Sequence, residues 1–243
     1  MTYSEFEPGP AQPAQAGPFW SYRDVLLFLG IAFPSLLLSA TLARFLRPRL
    51  HLSEGFEELV AQLVWYGLVF GFLVALFRLA YGQPFWRSLG FAPPYPYAGL
   101  CFALGPFLAL GMGYLGYVLK TPEIQSPFDK MMADRPTMVL FAIFGVFLGP
   151  LFEELAFRGF LMPLVVRSFG PAVGILSTAA LFGAIHAPEY HKTWQYAVLI
   201  GGAGAVFGYV RYRTGSTASA TLMHTGYNLI QFVAMWLRSS TIP

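Results

Sequence analysis

The chain has 243 residues, of which 56% are hydrophobic and only 11% charged, with a formal net charge of +3. Soluble domains carry charge on roughly a quarter of their residues, so this composition excludes an ordinary soluble globule and predicts an all-α, polytopic transmembrane bundle. No basic cluster is dense enough to suit nucleic acid, and a single cysteine, Cys101, excludes an intrachain disulfide and a cysteine-rich metal site.

Residues 1–19 are rich in Pro, Gly, Ala and Gln and read as a flexible tail without the basic start of a secretory signal. A first span is predicted from about Val25 to Ala43, with Pro34 as a kink, and a second from about Leu59 to Leu79 after the acidic stretch at Glu54, Glu57 and Glu58. Residues 81–97, with Trp86, Arg87, Pro93, Pro94 and Pro96, suit an interfacial loop whose rings sit at headgroup level. A third, glycine-rich span follows from about Ala98 to Leu119, and Lys120 to Pro136 reads as a solvated connection able to cover a site.

The fourth span, about Thr137 to Phe160, is expected to kink at Pro150 and to end or bend at Pro163. Span five runs from about Pro171 to His186, span six from about Trp194 to Tyr212 and span seven from about Ser216 to Leu237. Gly204 and Gly208 give span six a small-residue packing face, to which no chemistry is assigned. Seven spans are expected, six or eight if one segment is split or re-entrant. Within one membrane domain, residues 20–137 hold the N-terminal helices and 138–238 the helices bearing the motifs described next. Arg and Lys divide almost evenly between alternate loops, so the positive-inside rule does not orient the bundle.

The polar centre of the fourth span is LFEELAFRGF, residues 151–160, with three charges in an apolar run. On a helix Glu154 and Arg158 are four apart, acid first, which favours an ion pair. Glu153 is turned about 100° away and has no such partner. Intramembrane ionisable groups mark function by default, and an unpaired carboxyl in apolar surroundings is a candidate to take and give a proton. The expectation is that Glu153 performs chemistry while Glu154 and Arg158 support it.

His186 follows Phe182 by four residues, and His224 precedes Asn228 by four, so each pair shares a helix face. His51 and His191 fall in loops, and Glu189 reads as interfacial. Two chemistries fit the converging groups. In one, Glu153 and His186 deprotonate a water for attack on a peptide carbonyl, and His224 and Asn228 donate to the oxyanion. In the other, Glu153, His186 and His224 hold a Zn²⁺ ion with an open position. Two non-enzyme readings are a transporter or proton relay using the same Glu and His groups, and a silent membrane immunity or scaffold protein. No convincing internal symmetry between the halves favours a transporter.

The ordered set E-E-x-x-x-R at Glu153, Glu154 and Arg158, F-x-x-x-H at Phe182 and His186, and H-x-x-x-N at His224 and Asn228 resembles the CPBP family. That family includes CAAX-type prenyl endopeptidases and bacteriocin-processing or Abi proteins. The likeness covers roughly residues 138–230 and implies a glutamate-dependent intramembrane endopeptidase, with Glu153 and His186 activating water and His224 and Asn228 forming the oxyanion site. It favours the version without a cofactor. The expected partners are the lipid bilayer and a membrane protein or peptide substrate, and the expected location is a bacterial cytoplasmic membrane. The resemblance implies a reaction more directly than a substrate.

Overall fold

In a computed structural model, residues 17–124 and 135–241 are described. Most of the predicted tail, residues 1–16, and the centre of the connection read as solvated and able to cover a site, residues 125–134, lie outside them. The described residues are helical, without strands. They form α1 (Tyr22–Leu50), α2 (Glu54–Ala75, extended by a π-turn at Leu76–Ala80), the short α3 (Phe85–Ser88) and α4 (Ala98–Val118). After these come α5 (residues 135–169), α6 (Pro171–His186, with a 3-10 turn at Ala187–Tyr190), α7 (Trp194–Thr214) and α8 (Thr217–Thr241). Apart from α3, each is long enough to read as one of the seven predicted spans.

Five of them, α1, α2, α4, α5 and α6, are long and apolar enough to cross a membrane. The other two are α7 and α8, and for α8 the reason is structural. Ser219, Thr221, His224 and Thr225 of α8 are all buried, so this helix turns its polar side chains into the bundle. The lipid-facing surface lies elsewhere: Leu26, Phe33 and Leu37 of α1 and Phe107 and Leu110 of α4 are all about two-thirds exposed or more. An outer surface of this kind belongs in hydrocarbon, and the protein is a multi-pass integral membrane protein.

The helices approach closely where glycines permit it. A Cβ on Gly105 of α4 would lie 2.5 Å from the Met223 carbonyl of α8, and one on Gly226 would strike the Phe102 carbonyl in return. Gly183 of α6 meets the Ala197 backbone of α7 in the same way. One core is aromatic, with Trp20, Phe70, Phe77, Phe85 and Phe160 packed together. A second joins α4, α7 and α8 through Cys101, Phe207, Met223 and Tyr227, and Cys101 is buried there as a small hydrophobe.

Ahead of α1, the indole of Trp20 donates to the Phe160 carbonyl (3.0 Å), and Arg167 donates to the carbonyls of Pro18 and Trp20. Asp24 accepts from Ser21 and from the Tyr81 hydroxyl (2.8 Å). That carboxylate holds the Tyr81 phenol above its usual range.

Helix α1 continues through Pro34, and the nearby Ala32 carbonyl accepts from the Trp65 indole (2.9 Å) and the Ser35 hydroxyl (3.1 Å). The structure revises two sequence expectations. Residues 81–97 are only partly interfacial. Trp86 and Tyr97 are exposed, but Phe85 and Leu89 are buried, and the Leu89 and Gly90 carbonyls accept from Thr217 at the start of α8. Pro163 does not end the fourth span, which runs on to Phe169.

The second revision follows from how α5 absorbs its prolines. Pro150 and Pro163 each come two residues after a π-turn, Phe144–Leu148 and Leu155–Leu161. In a π-turn the N–H bonds the carbonyl five residues back rather than four. Gly149 donates to Phe144 and Met162 to Phe157 in this way. The register shift lets the helix pass a residue that lacks an N–H without terminating.

Candidate active site

The middle of α5 supplies Glu153, Glu154 and Arg158, the C-terminal end of α6 supplies His186, and α8 supplies His224 and Asn228. Folding brings the two glutamates and the two histidines together.

Glu154 and Arg158 are completely buried, and Arg158 Nη1 lies 3.0 Å from Glu154 Oε1. The other end of the guanidinium, Nη2, donates to the Gly204 carbonyl of α7 at 2.6 Å. Phe182 lies under the cation at 4.7 Å, with Phe207 and Phe157 at 5.7 and 5.8 Å. A guanidinium taken fully out of water needs such partners to offset its desolvation.

The same Oε1 of Glu154 accepts from His224 Nδ1 at 3.0 Å. Glu154 therefore orients a histidine as well as pairing with an arginine, a link that the i, i+4 spacing could not reveal. The His224 ring stacks on Phe207 at 4.5 Å. On the other side of the site, His186 Nδ1 lies 2.7 Å from the Phe182 carbonyl. A carbonyl only accepts, so that nitrogen carries a proton, and in neutral His186 the bare nitrogen is Nε2.

Glu153 lies between the two imidazoles. Its Oε1 is 4.0 Å from His186 Nε2, and its Oε2 is 3.8 Å from His224 Nε2. Both separations exceed a direct hydrogen bond. Glu153 is about a quarter exposed, whereas Glu154 is sealed. Of the two adjacent acids, one faces space that water can enter and the other is committed to its neighbours.

Asn228 donates from Nδ2 to the Gly145 carbonyl at 2.8 Å. The reason lies in the first π-turn: Gly149 has given its N–H to Phe144, and Pro150 has none. The Gly145 carbonyl is left without a helical donor, and Asn228 supplies one. Beside this contact an apolar groove of about 320 Å³ runs between Met138, Ala142 and Val146 of α5 and Leu229, Phe232 and Val233 of α8.

Residues 135–230 match the family model described as Rce1-like: Type II CAAX prenyl endopeptidase Rce1-like. This stretch is similar to that family. It contains Glu153, Glu154, Arg158, Phe182, His186, His224 and Asn228, the residues on which the CPBP resemblance rests. No curated protein and no solved structure matched the chain.

Sequence reasoning missed several contributors around the Rce1-like residues. The Gly204 and Gly145 carbonyls act through the backbone, which carries no side-chain signal. Gly204 was legible only as a packing position, and a Cβ there would lie 2.8 Å from Arg158 Nη2.

The Zn²⁺ alternative would draw on Glu153, His186 and His224. Among the described residues, no three His, Cys, Asp or Glu side chains stand grouped as a metal site.

Proposed function

We propose that the protein is an intramembrane endopeptidase that hydrolyses a peptide bond of a membrane-associated protein or peptide, with water activated by Glu153 and His186. The observation that carries this reading is the position of Glu153, with its two oxygens 4.0 and 3.8 Å from two histidine Nε2 atoms. A carboxylate facing an imidazole whose far nitrogen is tied to a carbonyl is a proton-accepting pair. The Rce1-like match supports the same reaction class.

In the proposed step a water between Glu153 and His186 loses a proton to this pair, and its oxygen bonds to the substrate carbonyl carbon. The carbonyl π electrons move to oxygen and form a tetrahedral oxyanion. Collapse of that adduct breaks the C–N bond, and the held proton passes to the leaving amine. His224, held at Nδ1 by Glu154, and the Asn228 amide are the proposed donors to the oxyanion. Donation by His224 uses an Nε2–H, the ring then carrying a proton on each nitrogen. The apolar groove beside Asn228 suits the lipid-soluble part of a substrate. The proposed setting is the cytoplasmic membrane of a bacterium.

The test uses purified protein in lipid nanodiscs with a farnesylated peptide ending in a CAAX sequence and, separately, an unmodified transmembrane peptide. Cleavage by the wild type and its loss in Glu153→Ala and His186→Ala are expected. Cleavage that survives unchanged in Glu153→Ala would sink the assignment.

A further inference from the structure

Helix α2 lies outside the Rce1-like segment, yet one of its side chains packs against the helix that carries the glutamates. Tyr66 is buried, and its ring is held by aromatic neighbours: parallel to Phe144 at 5.7 Å and against Phe152 at 4.3 Å. Both neighbours belong to the site's own helix. Phe144 opens the π-turn that frees the Gly145 carbonyl for Asn228, and Phe152 directly precedes Glu153.

The Tyr66 oxygen accepts a hydrogen bond from Gln62 Nε2 at 3.0 Å, one turn earlier on α2. That bond uses a lone pair and leaves the O–H proton free to donate. Among the described residues it has no acceptor. The hydroxyl is therefore buried, held by Gln62 and without an acceptor, on a ring packed against the residue that precedes Glu153.

The proposed hydrolysis is short of donors. One Asn228 N–H is spent on Gly145, and one His224 N–H on Glu154. We propose that Tyr66 donates its O–H to the substrate carbonyl oxygen as that oxygen becomes the tetrahedral oxyanion, with Gln62 aiming the hydroxyl. The inference rests on the endopeptidase reading above. A tyrosine keeps its proton near neutral pH, so it serves as a hydrogen-bond donor and not as the base. No bond to Tyr66 forms or breaks in this role, and its proton stays on the phenol oxygen.

The experiment compares wild type, Tyr66→Phe and Glu153→Ala on the farnesylated CAAX peptide and the unmodified transmembrane peptide, with thermal unfolding measured on each. Tyr66→Phe keeps the ring and its stacking. The expected result is a fall in kcat on the order of 100-fold, the scale for loss of one oxyanion donor, with KM within about twofold and an unchanged midpoint. A second readout is a peptidyl aldehyde, whose hydrate imitates the tetrahedral adduct. Its inhibition should weaken at least tenfold in Tyr66→Phe. Wild-type kcat in Tyr66→Phe, or a rate loss matched by a fall in thermal midpoint or a rise in KM alone, overturns the inference and leaves the Glu153 assignment standing. If the wild type cleaves neither peptide, the endopeptidase reading falls and the role of Tyr66 falls with it.

Discussion

His224 Nδ1 and Arg158 Nη1 share one acceptor, Oε1 of Glu154, each at 3.0 Å. A single buried carboxylate oxygen thus couples the cation of α5 to the histidine of α8. The second oxygen, Oε2, is also buried and takes no hydrogen bond in the structure.

Removing that carboxylate should therefore cost fold and function together. Glu154→Ala leaves the fully buried Arg158 without its counter-charge, a change worth about 3–5 kcal/mol in buried pairs, and frees His224 to rotate. The expected outcome is a clear fall in thermal midpoint in detergent and loss of cleavage. Glu153→Ala should lose cleavage while keeping the midpoint near wild type, because Glu153 pairs with no arginine. The two adjacent glutamates are separated by comparing unfolding with turnover.

Gly204→Ala places a methyl 2.8 Å from Arg158 Nη2 and 3.1 Å from the Phe182 ring. The guanidinium must leave the Gly204 carbonyl or displace Phe182, whose own carbonyl fixes His186. A single methyl on α7 should lower both stability and kcat, by at least tenfold in the latter. Gly202→Ala on the same helix meets only the flexible Met112 side chain and should be mild. Circular dichroism melts and peptide cleavage on the pair provide the check.

Asn228→Ala removes the donor from a carbonyl that the π-turn and Pro150 have left without one. An unsatisfied buried carbonyl costs about 1–3 kcal/mol. If Asn228 also donates to the oxyanion, kcat should fall by more than that destabilisation accounts for. The measure is residual activity well below the melting temperature, where the folded fraction is complete.

Strong chelation should leave cleavage unchanged under the proposed mechanism. The assay is activity after dialysis against o-phenanthroline, with elemental analysis of the purified protein. Loss of activity that returns on adding Zn²⁺ would overturn the metal-free step.

Trp20→Phe keeps the ring that stacks between Phe77 and Phe160 but deletes the indole N–H to the Phe160 carbonyl. A loss of about 1 kcal/mol is expected, seen as a small drop in thermal midpoint. A null effect would mean that the ring contacts alone dock the segment before α1.

Much of this architecture was legible in the sequence because the relevant signals are local. Low charge and long apolar runs gave the all-helical membrane class, and Pro171 to His186 matched α6 at both ends. The four-residue spacing of Glu154 and Arg158 survived although Arg158 sits inside a π-turn. What escaped was non-local or carried by the backbone. No spacing rule says that Glu154 selects His224, or that Gly204 and Gly145 offer their carbonyls. Pro163 read as a helix end because proline ordinarily removes a bond, and the register shift that accommodates it leaves no mark in composition. Tyr66 carries no motif of its own, since any role it has depends on which helix it meets.

The two π-turns of α5 also bear on how this protein can change over time. Each turn amounts to one residue inserted into a helix, and a one-residue insertion rotates everything beyond it by about 100°. The groove wall at Met138 and Ala142 and the carboxylate of Glu153 lie on opposite sides of the first such insertion. Their relative phase is set by that single extra residue. Deleting one residue from Phe144–Leu148 would swing the apolar wall away from the carboxylate while leaving every site side chain in the sequence. Substitutions are thus far safer for this helix than changes of length.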